Sequence, residues 1–178
     1  MEGQRVVLAV EPLTADAFAP YGDVIEAREG APFQPINRGF ADRFDSRATI
    51  DTAAAGGTTA LAIVRAVPRA LPFEVVMLER HRLGSQAFVP MSGRPYLVVV
   101  APAGPVPEPS SLRCFLCAGS QGVNYAPGTW HHPLLAIEAG SDFLVVDRAG
   151  PPGEVDCEEH AIDAASVWIP APATGDRV

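Results

Sequence analysis

Short apolar runs, broken at close intervals by glycine and proline, set the rhythm of this chain. Its 16 Gly and 18 Pro fall as punctuation between those runs, the pattern of many strands joined by turns. The first run is Val6 to Val10. Thr14 caps a short helix over Ala15 to Ala19, which Pro20 and Gly22 stop. Asp23 to Glu26 reads as a strand, Arg28 to Pro35 as loop, Asn37 to Asp51 as a polar segment and Ala53 to Gly57 as a flexible turn. Strands then follow at Thr58 to Val67, Phe73 to His81, Gln86 to Pro90, Tyr96 to Ala101, Leu112 to Cys117, Val123 to Tyr125, Pro133 to Ile137, Asp142 to Asp147 and Val167 to Ile169. A Pro-rich loop, Ala103 to Ser111, interrupts them. The pattern predicts an all-β sandwich or barrel with one or few short helices. A single domain over residues 1–170 and a frayed tail at 171–178 complete the expectation.

Composition narrows the chemistry. All 13 basic residues are arginine, against 21 acidic ones, for a formal charge of -8. Without lysine there is no Schiff base, no lipoyl or biotinyl carrier and no P-loop lysine, and no organic cofactor is expected. A cationic anchor must be a guanidinium, which suits planar carboxylates. An acidic chain without a basic cluster points away from nucleic acid and anionic membranes. No apolar run is long enough for a transmembrane helix, and Met1 to Val10 is too weak for a signal peptide, so a cytoplasmic protein is expected.

Cys114 and Cys117 form a C-x-x-C. On a strand, residues three apart point to opposite faces, so the pair reads as buried small hydrophobes. The histidines carry more. In the Phe73 to His81 run, alternate residues put Glu79 and His81 at the end of an apolar face, where a core runs out into a pocket; a solvated strand end is the plainer alternative. Gln86 follows at Glu79-x-His81-x4-Gln86. A second cluster is Pro127-Gly128-Thr129-Trp130-His131-His132-Pro133. Adjacent histidines on a strand face opposite ways, so one at most enters an interior; a strand continuing through Leu134 places Trp130 and His132 on one face. His160 reads as part of a solvated polar stretch. Arg38, Arg43, Arg113 and Arg148 are each candidates for a carboxylate anchor, with salt bridges to nearby aspartates as the plainer account.

Glu79, His81 and Gln86 with Pro127 and His132 resemble the two motifs of cupin barrels, whose residues converge on one metal. Glu79, His81 and His132 are acceptable ligands and Gln86 a weaker one. More specifically, Leu78-Glu79-Arg80-His81, Leu83-Gly84-Ser85-Gln86-Ala87-Phe88, Gln121-Gly122-Val123-Asn124-Tyr125, Trp130-His131-His132-Pro133-Leu134 and Asp147-Arg148 resemble the ureidoglycolate lyase family. Tyr21 to Glu26 and Ile36-Asn37 resemble its N-terminal part.

The resemblance implies a cupin-like β-barrel of jelly-roll type, usually a homodimer. It implies elimination of urea from ureidoglycolate to leave glyoxylate, late in allantoin degradation, and a weakly bound divalent metal such as Ni2+. On that basis His81, His132 and Glu79 are expected to be catalytic. Gln86, Asn37, Arg43, Tyr125, Ser85 and Trp130 are expected to bind substrate, with Glu79, His81, Gln86 and His132 as metal ligands and Arg43 on the substrate carboxylate. Arg82 and Ala126-Pro127 depart from the family pattern. The rival readings are a non-catalytic cupin that binds a small acid and a metal-dependent cupin dioxygenase or isomerase.

Overall fold

The computed structural model describes residues 5–45, 48–162 and 166–171, so most of the expected tail, at 172–178, lies outside the described residues. Two sheets build the body. One has the spatial order Cys157–Ala161, Met77–His81, Trp130–His131, Tyr96–Ala101, Arg113–Cys117 and Val10–Pro12, with Leu135–Ala136 also paired to Tyr96–Ala101. The other runs Gly22–Ile25, Gly122–Tyr125, Gln86–Pro90, Ser141–Ala149 and Thr58–Ala66. They face each other as a cupin-like β-sandwich. A three-stranded sheet of Arg5–Val7, Ser166–Ile169 and Phe73–Val75 covers the far side of the first.

The layering explains the apolar pattern. Tyr96–Ala101 is buried at every residue because its sheet is covered on both faces. Tyr96, Val98 and Val100 join Phe115, Phe88, Val123, Tyr125 and Phe143 between the two large sheets. Leu97, Val99 and Ala101 join Cys114, Val75, Val167 and Ile169 on the other side. Each buried Val or Leu contributes about 1.5–3 kcal/mol, so the central strand anchors both cores. Cys114 and Cys117 fall one in each core, as their spacing predicts. Burial pushes the Cys114 thiol up to about 12 and raises Cys117 as well, which leaves both inert.

Thr14 caps the helix Ala15–Phe18 as read, its hydroxyl accepting from the Ala17 N–H at 3.2 Å. Elsewhere the architecture corrects the reading. Phe73 to His81 is two strands in two sheets, parted at Val76. Val75 and Leu78 both enter the same core, so simple alternation fails across the break and Glu79 does not share a face with Phe73. The polar segment holds a hairpin, Gln34–Ile36 with Ala41–Arg43, which pairs with nothing else among the described residues. His160 lies on a strand, Cys157–Ala161, that has no apolar run to betray it; its ring meets Trp130 at 5.9 Å.

Candidate active site

The site forms where Met77–His81 has Trp130–His131 on one side and Cys157–Ala161 on the other. His131 is the register partner of Glu79, and Glu159 is its partner on the opposite strand. Directly opposed residues point to the same face, so His131, Glu79 and Glu159 form a row. His81 and Cys157, also partners, form the next row.

His131 is 1% exposed. Its ring stacks on Tyr125 with centroids 4.1 Å apart and planes 11° from parallel. Its Nδ1 lies 3.0 Å from the Thr129 carbonyl. A carbonyl only accepts, so Nδ1 carries a proton. Nε2 then faces Gln86 Oε1 at 3.2 Å and Glu79 Oε1 at 3.5 Å. A bare nitrogen lone pair aimed at two oxygens is repulsive, so this atom holds a proton or a cation, or the Gln86 amide turns its NH2 inward. His81 meets the same group, its ring 5.6 Å from that of His131. Its Nε2 is buried and has no hydrogen-bond partner. Burial, then the charge of His131, lowers the His81 pKa from 6.5, against the opposing pull of Glu79, Asp156 and Asp147. Burial of Glu79 works to raise its pKa. The hydrogen bond from His131 and the charges of His131 and His81 outweigh that and hold the carboxyl below its ordinary value. Cys157 Sγ lies 3.7 Å from Glu79 Oε2; burial and the Glu79 charge push this thiol up to about 11.

Strand parity overturns the placement of His132. The Trp130–His131 strand turns His131 toward Glu79, and its neighbour turns away. Trp130 and His132 do lie on one side, but it is the side of the second core. His132 packs edge-on against Phe73 at 5.3 Å and donates from Nδ1 to the Pro133 carbonyl at 2.7 Å. Burial lowers its pKa, against the pull of that hydrogen bond. Trp130 donates to the Gly104 carbonyl at 3.1 Å beneath the Arg80 guanidinium.

Glu79, His81, Gln86 and Tyr125 therefore converge as expected, with His131 in the place given to His132. The signal for His131 was the same dipeptide; only the strand phase was misread. Ser85 stands beside the site as a clasp: its N–H donates to the Asp51 carbonyl and its hydroxyl accepts from the Asp51 N–H, both at 2.8 Å. Gly84 is required there, since a Cβ would lie 2.6 Å from Arg148 Cβ. Asn37, at φ 54°, turns the separate hairpin and is exposed. Arg43 is exposed and paired with Asp45 at 2.8 Å. It lines a different cleft of about 490 Å³, with Glu26, Phe33 and Phe44 and none of the histidines. Of the other arginines considered, Arg113 pairs with Glu11 at 2.6 Å. Arg148 is held by Glu154 and the Ala54 carbonyl.

The family profile described as ureidoglycolate lyase matches residues 5–169. The chain belongs to the ureidoglycolate lyase family. It is 59% identical to the ureidoglycolate lyase of Burkholderia mallei over 143 residues, 80% of this chain and 83% of the relative. Identity is 52% over 160 residues to that of Burkholderia cepacia, 89% and 88% of the two chains. It is 48% over 165 residues to that of Pseudomonas fluorescens, 93% and 97%. Gln121 and Asn124 serve as clips: Gln121 Nε2 donates to Glu26 at 2.7 Å, and Asn124 Nδ2 donates to Asp23 at 3.1 Å and the Thr49 carbonyl at 3.0 Å. They fasten the N-terminal strands beneath Tyr125, which in turn fixes the plane of His131. The departures border the site too, since Gly128, just past Ala126-Pro127, donates to the His81 carbonyl at 2.7 Å.

Proposed function

We propose that this chain is a ureidoglycolate lyase, releasing urea from ureidoglycolate to leave glyoxylate, within allantoin degradation. The observation that carries the reading is the buried Glu79–His81–His131 group on a family scaffold. The substrate is a carbinolamide bearing a carboxylate. Its hydroxyl must lose a proton as the carbonyl forms, and the departing urea nitrogen must gain one. His81, kept neutral by burial, accepts the hydroxyl proton at Nε2, a buried atom with no hydrogen-bond partner. His131, with Nδ1 committed to Thr129, delivers a proton from Nε2. Glu79 faces that nitrogen at 3.5 Å, and the Gln86 amide offers hydrogen bonds to the ureido group. No covalent nucleophile is needed, in keeping with the absence of lysine.

Glu79, His81 and His131 bring one ligand atom each to within 4.8 Å of one another. Two imidazoles and a carboxylate, one nitrogen buried and unpaired, fit a divalent transition metal such as Ni2+. Bound there, such an ion supplies Lewis acidity at the substrate oxygen. In either state His81 must be neutral and His131 present.

Two further parts of the proposal are a cytoplasmic homodimer and the surface it uses. Among the described residues no helix is long and apolar enough to cross a membrane. The edge strand Thr58–Ala66 exposes Leu61 at 69% and Ile63 at 59% beside unpaired backbone groups, an edge that isolated proteins protect.

The test is incubation of purified protein with ureidoglycolate, with Ni2+ or with chelator, measuring glyoxylate and urea together. Equimolar release above the spontaneous rate is expected. No enhancement in either condition refutes the lyase.

A further inference from the structure

We infer that Asp147 is a specificity residue of the site, a carboxylate that accepts the paired N–H groups at the ureido end of the substrate; this rests on the lyase reading above and deepens it.

Strand parity places the residue. Ser141–Ala149 pairs with Thr58–Ala66 without a break, from Ser141 opposite Ala66 to Ala149 opposite Thr58, so alternation holds along its whole length. Phe143 and Val145 join the core between the two large sheets, and Asp147 follows on the same face. Arg148, on the other face, lies against Gly84. The second neighbouring strand fixes the level of Asp147. Val146 is the partner of Ala87, so the next step of that register sets Asp147 level with Gln86, whose partner on its far side is Tyr125. Tyr125, Gln86 and Asp147 therefore make a row across the second sheet, about 4.8 Å from strand to strand. That row faces the His131–Glu79–Glu159 row of the first sheet: Tyr125 stacks on His131, and Gln86 Oε1 is 3.2 Å from His131 Nε2. The Asp147 charge reaches His81 across the gap.

Half-buried, the Asp147 carboxylate has no hydrogen bond or ion pair among the described residues. Asp156, the other aspartate whose charge reaches His81, already accepts the N–H groups of Arg82 and Leu83, both at 2.9 Å. Arg148, next in sequence, is held by Glu154 and the Ala54 carbonyl. Asp147 also stands outside the Glu79–His81–His131 group, whose ligand atoms come within 4.8 Å of one another. What it offers is a pair of acceptor oxygens beside the Gln86 amide. An ionised carboxylate only accepts. A ureido group presents two N–H groups side by side, the same fork that a guanidinium offers a carboxylate. One of them belongs to the departing nitrogen, whose lone pair stands out of the ureido plane and stays open to the proton from His131. Like charge meanwhile turns the substrate's own carboxylate away from Asp147. The residue thus selects a ureido end and sets which way round the substrate binds.

The test uses full-length protein and ureidoacetate, the substrate analogue without the hydroxyl, which has no proton to lose and so does not eliminate. Its binding is measured by titration calorimetry beside that of glyoxylate, which has no ureido group, and of ureidoacetate dimethylated on its terminal nitrogen. Asp147→Asn is expected to bind ureidoacetate about ten- to a hundredfold more weakly, the usual contribution of a hydrogen bond to a charged group, and to bind glyoxylate no more weakly than wild type does. Dimethylation should weaken binding to wild type and make little difference to Asp147→Asn. Circular dichroism confirms that the variant is folded. Equal binding of ureidoacetate by both proteins, a parallel loss for ureidoacetate and glyoxylate, an equal loss on dimethylation in both proteins, or no binding of ureidoacetate by wild type would each overturn the assignment. Turnover is scored separately. Binding that depends on Asp147 without glyoxylate release removes the lyase reading alone, and normal turnover with binding that ignores Asp147 removes this inference alone.

Discussion

The sharpest test of the site separates two adjacent histidines. His131→Ala removes the atom facing Glu79 and Gln86, whether it carries a proton or a cation. Loss of a positioned acid or base costs about 10²- to 10⁴-fold in rate, equivalent to roughly 2.7–5.4 kcal/mol of transition-state stabilisation. The same change strands the Thr129 carbonyl and removes a stacked ring, for about 2–4 kcal/mol of stability. His132→Asn makes a comparison of similar size on the other side of the strand. It loses an edge contact to Phe73 and disturbs the bond to Pro133, about 1–3 kcal/mol. Both variants should unfold at lower temperature, but only His131→Ala should lose activity. Glyoxylate trapped as its phenylhydrazone gives kcat and KM well below both melting points. His132→Asn is expected to keep kcat within about threefold, the range of an indirect effect rather than a lost acid or base. If it loses as much as His131→Ala, or if His131→Ala turns over normally, His131 is not the histidine that faces the reaction.

Other outcomes follow from the same geometry. Activity should rise with pH through a pKa below 6.5, because His81 works only when neutral and its pKa is lowered; His81→Gln should abolish turnover rather than shift that limb. Stability moves the same way. His81 and His132 both have folded pKa values below the unfolded one, so the folded state binds fewer protons and stability falls as pH drops below 6.5. Glu79, lowered from 4.5, adds a further loss at more acid pH; thermal melts from pH 8 to 4 check both. Gly84→Ala should drive Arg148 and the Asp51 loop apart, costing about 1–3 kcal/mol and lowering Tm by roughly 2–12 °C. Ile63→Glu on the exposed edge strand should shift a dimer to monomer in light scattering without changing the melting temperature much; an unchanged mass removes that strand as the dimer surface.

What was legible in the sequence depended on how many faces of each strand were buried. Tyr96 to Ala101 announces itself because both faces are covered, and the C-x-x-C spacing sorts its thiols into two cores for the same reason. Cys157–Ala161 was invisible: as an edge strand carrying two glutamates and a histidine, it offers no apolar rhythm, though it brings Cys157 beside Glu79. The error over His132 has a different origin. Motif spacing identifies a pair of histidines, but which one faces inward is a matter of register. Here register is set by the partner strand, where Glu79 lies opposite His131, and Val76 breaks the phase that alternation from Phe73 would supply. Arg43 failed for a third reason. A carboxylate anchor must converge in space with the histidines, and among the described residues the hairpin bearing Arg43 pairs only with itself. Its guanidinium is spent on Asp45. Side chains fixed by pairing across strands were thus recoverable where the pattern declared the strand, and lost where function had replaced the apolar residues that would have declared it.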